Sequence, residues 1–149
     1  MAESEHQRLT RLANLLFDAA RRGDTNLLRE ATSGGAPPDL SNQSGDSLVM
    51  LAAYHGHAEA VEVLLQAGAQ VDLMNDRAQT PLGGATFKGY PDVVRTLLRF
   101  GADPAAGSPS AITMAVMFDR EDFLALFDTS RSDPAGPGNS AGPASDQRS

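Results

Sequence analysis

The chain has 149 residues, enough for one sizeable core, and its 41% hydrophobic and 21% charged residues are ordinary for a globular protein. Twelve basic residues against 19 acidic ones leave a formal charge of −7, which repels phosphate backbones and disfavours nucleic acid as a partner. The cysteine-free composition excludes disulfides, thiolate nucleophiles and cysteine-held zinc, and it fits a reducing compartment.

The first residues, Met1-Ala2-Glu3-Ser4-Glu5-His6, are acidic and polar, the opposite of a signal peptide's basic start. No apolar stretch approaches the ~20 residues that span a bilayer. The expectation is a soluble cytoplasmic protein, monomeric and without membrane contact.

From there the chain repeats itself. Gly23, Gly56 and Gly89 are spaced by 33 residues, as are Ala19, Ala52 and Ala85, and Leu28, Val61 and Val94. Gly35-Ala36, Gly68-Ala69 and Gly101-Ala102 share the period, and a fourth unit follows with a register of 30. Each unit reads as two short helices. The first is alanine-rich and spans 47–55 in one unit and 80–88 in the next. Thr80 supplies an N-cap hydroxyl and Pro81 suits the first helical position. A glycine ends this helix and the second begins at once. Val61, Leu64 and Leu65, then Val94, Leu97 and Leu98, lie on one face of it at helical spacing and are expected to be buried. One such hairpin cannot bury both its faces, so the units must stack. The expected units are about 7–40, 41–73, 74–106 and 107–128.

The residues 129–149 contain no Leu, Ile, Val, Met or aromatic side chain and three prolines. They cannot offset their ordering entropy by burial, so a disordered tail is expected.

The 33-residue period, with Thr80-Pro81-Leu82 and Ala85, Gly56-His57, Leu64-Leu65 before Gly68-Ala69, and Leu97-Leu98 before Gly101-Ala102, resembles the ankyrin repeat family. The resemblance covers about residues 7 to 128. It implies an all-α solenoid of about four helix pairs, the outer two acting as caps, and a role for His57 in hydrogen bonding between repeats. Departures stand at Met50 and Gly83, where the signature has histidine, and at Asp119, where it has glycine.

No catalytic constellation is visible. His55 and His57 form an H-x-H with Glu59 two residues on, but no third histidine lies near and His6 is far away in sequence, which makes them weak metal ligands. Glu121-Asp122 sits at a helix start, where carboxylates complement the helix dipole. Gly83-Gly84 lacks any phosphate-loop surroundings, and close helix packing accounts for it. Neither enzymatic activity, nor a metal, nor a cofactor is expected.

The resemblance implies binding through the concave side, built from first-helix ends and loop tips. A column of large, varied side chains occupies those helix ends: Arg21 and Arg22, Tyr54 and His55, Phe87 and Lys88, Met117 and Phe118. Gln43, Ser44 and Asp46, then Asp76, Arg77 and Gln79, stand at the loop tips. Aromatic residues and arginine are enriched at interface hot spots. The expected function is non-catalytic protein binding, as an adaptor, inhibitor or regulator, through a locally cationic and apolar face that takes an acidic, partly apolar segment. The alternatives are a self-associating structural subunit and an enzyme whose site is assembled from distant residues.

Overall fold

The computed structural model describes residues 2–132. Eight helices follow one another there: α1 Glu5–Arg22, α2 Thr25–Ser33, α3 Leu48–Tyr54, α4 Ala58–Gln66, α5 Pro81–Lys88, α6 Pro91–Arg99, α7 Ala111–Met117 and α8 Glu121–Ser132. The odd-numbered helices pack side by side in one layer, the even-numbered in a second, and each odd helix packs on the even helix that follows it. This is the all-α stack of four helix pairs that the period predicts. Among the described residues, β pairing is confined to two isolated bridges, Ser41 with Ser47 and Gly107 with Ser110.

Local chemistry sets the helix ends. Ser47, Thr80 and Ser110 cap α3, α5 and α7, each hydroxyl accepting the N–H three residues ahead at 3.0 to 3.1 Å. Gly23 and Gly89 close α1 and α5 in the left-handed conformation, with φ of 76° and 80°. Helix α3 stops one residue earlier than expected, at Tyr54, and Gly56 then takes φ of 83°. In the fourth pair, where that glycine is absent, Asp119 adopts φ of 54°. Aspartate enters this region more readily than most residues, which keeps the turn without glycine.

Each of the three glycine turns is covered by the next repeat. A Cβ at Gly23 would lie 2.5 Å from His57 Nδ1, one at Gly56 3.1 Å from the Tyr90 ring, and one at Gly89 2.9 Å from an Arg120 guanidinium nitrogen. His57 Nε2 is also 2.8 Å from the carbonyl oxygen of Arg21. A carbonyl only accepts, so Nε2 carries the proton, and the inter-repeat bond implied by the resemblance is formed. Arg120 holds Asp122 through two hydrogen bonds of 3.1 and 2.9 Å. These bonds lower the Asp122 carboxyl below its ordinary value.

Small residues let the odd helices approach one another: Ala19, Ala20, Ala52, Ala53, Ala85 and Ala115 are fully buried. Val61, Leu64, Val94 and Leu97 are fully buried between the layers and Leu65 nearly so. Leu98 departs from the expectation: it is only half-buried, against the core edge, because its next neighbour is the terminal helix pair. Phe123 and Phe127 close the stack at α8.

The two ends also depart from the simple repeat. Helix α1 has 18 residues against seven or eight in α3, α5 and α7, and a capping box between Ser4 and Gln7 starts it. At the other end α8 continues to Ser132, past the boundary at 128, with the Thr129 hydroxyl donating to the Ala125 carbonyl at 3.0 Å. Residues 129–132 therefore belong to the helix. Once a helix is nucleated, each added residue gains a backbone bond without needing an apolar side chain. The rest of the expected tail, 133–149, lies outside the described residues.

Loop carboxylates join successive repeats. Asp39 accepts the Gln70 N–H at 2.9 Å, and Asp72, one period on, accepts the Asp103 N–H at 3.1 and 3.2 Å. Burial raises the Asp72 pKa; the bond from the Asp103 amide opposes this, and the Asp103 charge adds to the rise. The folded state thus binds a proton at Asp72 more readily than the unfolded chain does. This contribution favours folding in acid and is lost as pH rises from the ordinary aspartate value through the raised one. Asp72→Asn, which retains an acceptor, is therefore expected to stabilise the protein at neutral pH, with the gain shrinking on acidification; urea titrations at two pH values measure it.

Leu64→Ala is expected to cost about 2–5 kcal/mol in chemical denaturation, and Leu98→Ala distinctly less. Ala78 occupies φ of 61° one period after Gly45, which has φ of 78°. Because a Cβ is disfavoured there, Ala78→Gly is expected to raise stability by about 1 kcal/mol, read as a shift in denaturation midpoint at constant slope.

Candidate protein-binding face

Stacking four capped helix pairs brings the ends of α1, α3, α5 and α7 to one face, beside the loop tips that precede α3, α5 and α7. At the helix ends Tyr54 is 38% exposed, Phe87 48%, Met117 64% and Phe118 48%. So much exposed apolar surface in one column is unusual for a side of the fold that has no packing duty. Phe87 and Phe118 meet edge to face, their centroids 5.7 Å apart. The Lys88 ammonium lies 5.1 Å from the centre of the Tyr54 ring. The ladder across repeats expected from the sequence is thus in contact from Tyr54 through the Phe87-Lys88 pair to Phe118.

Its charge differs from the expectation. Arg21 pairs with Asp18 at 2.9 Å and Arg22 with Asp24 at 3.2 Å, so the two arginines do not stand as free cations. Asp18 lies one turn before Arg21 on the same exposed helix end, which the column reading overlooked. His55 turns its Nδ1 to the Leu51 carbonyl at 2.8 Å, while His57 is committed to the seam with the first repeat. The two rings of the H-x-H are thus held by different carbonyls. Lys88 and Arg77 have no ion-pair partner among the described residues, and they carry the positive charge of this face.

The loop tips divide into two groups. Gln43 and Ser44 are exposed beside α1, where they line a shallow groove with Asn14, Asp18 and Arg21. Asp46 and Gln79 are instead drawn into a hydrogen-bonded hub around Asn75, which is buried. The Asn75 amide nitrogen donates to Asp46 Oδ1 and Gln79 Oε1, both at 2.8 Å. Its carbonyl oxygen accepts the N–H groups of Arg77 at 2.9 Å and Gln79 at 3.0 Å. Asp76 is exposed, its N–H donating to the Ser44 carbonyl at 3.1 Å, which ties one loop tip to the next. Asn75 repeats Asn42 after one period, and Asn42 holds its own loop in the same way. That recurrence was present in the sequence and marks the hub.

Between these parts opens a cavity of about 320 Å³. Tyr54, Phe87, Asp46, Arg77 and Gln79, all expected at the face, line it together with Met50, Leu51, Asn75, Thr80, Gly83, Gly84, Pro109 and Met114, which were not. Arg21, Arg22, Gln43, Ser44, His55, Asp76, Lys88, Met117 and Phe118 are not among its lining residues. Gly83 and Gly84 stand out in the sequence as a departure from the repeat, but the cavity they line has no signature in composition or periodicity. Among the described residues no three His, Cys, Asp or Glu side chains converge as metal ligands, and no helix is long and apolar enough to cross a membrane.

The layered helix pairs and their seam define a repeat scaffold, and comparison with known proteins agrees. Residues 16–107, more than half of the chain, match ankyrin repeats in three copies. The chain belongs to the ankyrin repeat family, whose stacked repeats serve as protein-interaction modules. It is 52% identical over 48 residues to an ankyrin repeat protein of Pseudomonas aeruginosa, a stretch covering 32% of this chain and 28% of that one. It is 40% identical over 66 residues to ankyrin repeat domain-containing protein 29 of Homo sapiens, covering 44% and 22%. The matches span less than a third of either relative's length.

Proposed function

We propose that this chain is a non-catalytic binding module, an adaptor, inhibitor or regulator of one protein partner in the cytoplasm, and that it binds through the exposed ends of α3, α5 and α7 and the adjoining loop tips. The observation that carries this reading is the row of Tyr54, Phe87, Met117 and Phe118, exposed on three consecutive first helices and flanked by Arg77 and Lys88, which have no ion-pair partner among the described residues. Such a surface suits a segment that presents apolar and acidic groups together. Aromatic side chains provide most of the energy at such sites and a nearby cation steers association. Arg21 and Arg22, neutralised by Asp18 and Asp24, contribute less to that steering than Lys88.

A second reading, self-association, has its own observation. Leu9, Leu12 and Leu15 are 55%, 44% and 46% exposed on the long first helix. Light scattering of the pure protein separates the readings: a dimer lost in a Leu9→Ser, Leu12→Ser double variant supports self-association, and a monomer rejects it.

With a partner in hand, Tyr54→Ala and Phe87→Ala are each expected to weaken binding by about 1–3 kcal/mol without lowering thermal stability. Lys88→Glu is expected to slow association and flatten its salt dependence. Glu62→Ala is the control, since Glu62 lies on α4 in the other layer and pairs with Arg99 at 3.1 Å. Binding that is harmed by the Glu62 change and indifferent to the two aromatic changes would place the interface on the other side of the stack.

A further inference from the structure

The cavity at the middle of the face is lined by two residues that a helix by itself disfavours. Counting along the repeats, Gly83 and Gly84 of α5 stand where α3 carries Met50 and Leu51 and where α7 carries Thr113 and Met114. Glycine inside a helix costs about 1 kcal/mol relative to alanine at each position. Neither glycine has a positive φ. A Cβ at Gly84 would first meet Tyr54 Cδ1 at 3.2 Å and Met50 Sδ at 3.6 Å, and one at Gly83 would meet Thr80 Oγ1 at 3.3 Å. The side chains beside Gly84 can shift by a few tenths of an ångström, whereas at Gly83 the buried Thr80 hydroxyl is held by its cap bond and the Pro109 carbonyl oxygen lies 3.8 Å away. Packing therefore tolerates a small side chain at Gly84, and the two glycines line a cavity of about 320 Å³ beside the exposed Tyr54 and Phe87 rings.

The walls of this space are Met50, Met114, Tyr54 and Phe87, and its rim carries Arg77. Methionine walls adapt to the shape of what enters. The volume is at the small end of ligand sites and suits one large side chain better than a whole small molecule. At the rim, Asp46 is already engaged by Asn75, whereas Arg77 has no ion-pair partner among the described residues and Lys88 hangs over Tyr54. Asp46 keeps its negative charge in that bond, and the cations left to meet a ligand are Arg77 and Lys88.

We propose that the Gly83-Gly84 notch is an anchor pocket for a single leucine, methionine or phenylalanine side chain of a linear protein segment, with an aspartate or glutamate beside that anchor held by Arg77 and Lys88. The proposal rests on the protein-binding reading given above and adds to it the chemistry of the bound segment.

The test starts from random peptides displayed on phage and selected on the full chain, with counter-selection on Gly84→Met, whose side chain fills the notch. Enriched peptides are synthesised and titrated. The expected result is a shared bulky apolar residue with an acidic neighbour, an affinity loss of about tenfold or more when that apolar residue is changed to alanine, and a similar loss on Gly84→Met. Arg77→Glu is expected to weaken the same peptides and to favour basic neighbours on reselection. Circular dichroism and urea titration check that Gly84→Met folds. If it does not, methyl-labelled methionine in the wild-type chain replaces it: Met50 and Met114 resonances move on peptide addition and Met74, outside the cavity, stays. Peptides that bind with Met50 and Met114 unmoved, yet lose affinity on Phe118→Ala, overturn the pocket and leave the binding face standing. Peptides indifferent to every change on this face overturn both readings. Failure to enrich any peptide over the counter-selection overturns the pocket.

Discussion

The architecture depends on a contact between a bare turn and the side chain laid over it. At the end of each of the first three odd helices the chain must reverse within a residue or two, and a left-handed glycine does this at little steric cost. The same missing Cβ leaves a flat patch of backbone, onto which His57, Tyr90 and Arg120 of the following repeats fold. One atom's absence therefore serves two purposes, turning the chain and fixing the spacing between repeats. The residue on top varies from imidazole to phenol to guanidinium because the patch asks for a flat group of suitable reach rather than for one chemistry. His57 adds a hydrogen bond to the Arg21 carbonyl, which sets its tautomer and helps satisfy the exposed end of α1.

That spacing governs what the odd helices can be made of. With repeats held close, their contact positions are alanines, and the larger aliphatic side chains are displaced to the even-numbered layer and the space between layers. The large side chains at the ends of the odd helices then have no core to fill. Large apolar side chains at those ends, such as Phe87 and Met117, remain in water, where burial by a partner is favourable in proportion to the area removed from solvent. The loops are braced by hydrogen bonds. Asn42 and Asn75 satisfy the backbone N–H groups of their own tips, and Asp39 and Asp72 satisfy those of the next repeat. A hydrogen-bonded rim beside an apolar row leaves less to be ordered on binding.

The stack was legible in the sequence because a solenoid writes its contacts at a fixed period. Glycine turns, alanine contacts and the Val-Leu-Leu stripe recur at 33 residues for the same structural cause each time, and each therefore appears as a column. Leu98 and residues 129–132 escaped that reading because both lie near the end of the array, where the next neighbour that defines the column is altered or absent.

The face was legible only as a set of positions. Sequence alone determined that four helix pairs stack, where their turns fall, and that Tyr54, Phe87, Met117 and Phe118 occupy equivalent places, since repetition makes equivalence visible without coordinates. The tertiary structure decided which of the chosen residues act together. It paired Arg21 and Arg22 with carboxylates, pulled Asp46 and Gln79 into the Asn75 hub, set Lys88 over Tyr54, and opened a cavity above Gly83 and Gly84. Ion pairing and empty volume depend on distances of a few ångströms between residues of different repeats. A one-dimensional period specifies which residues face the same way, but those distances exist only once the repeats are packed.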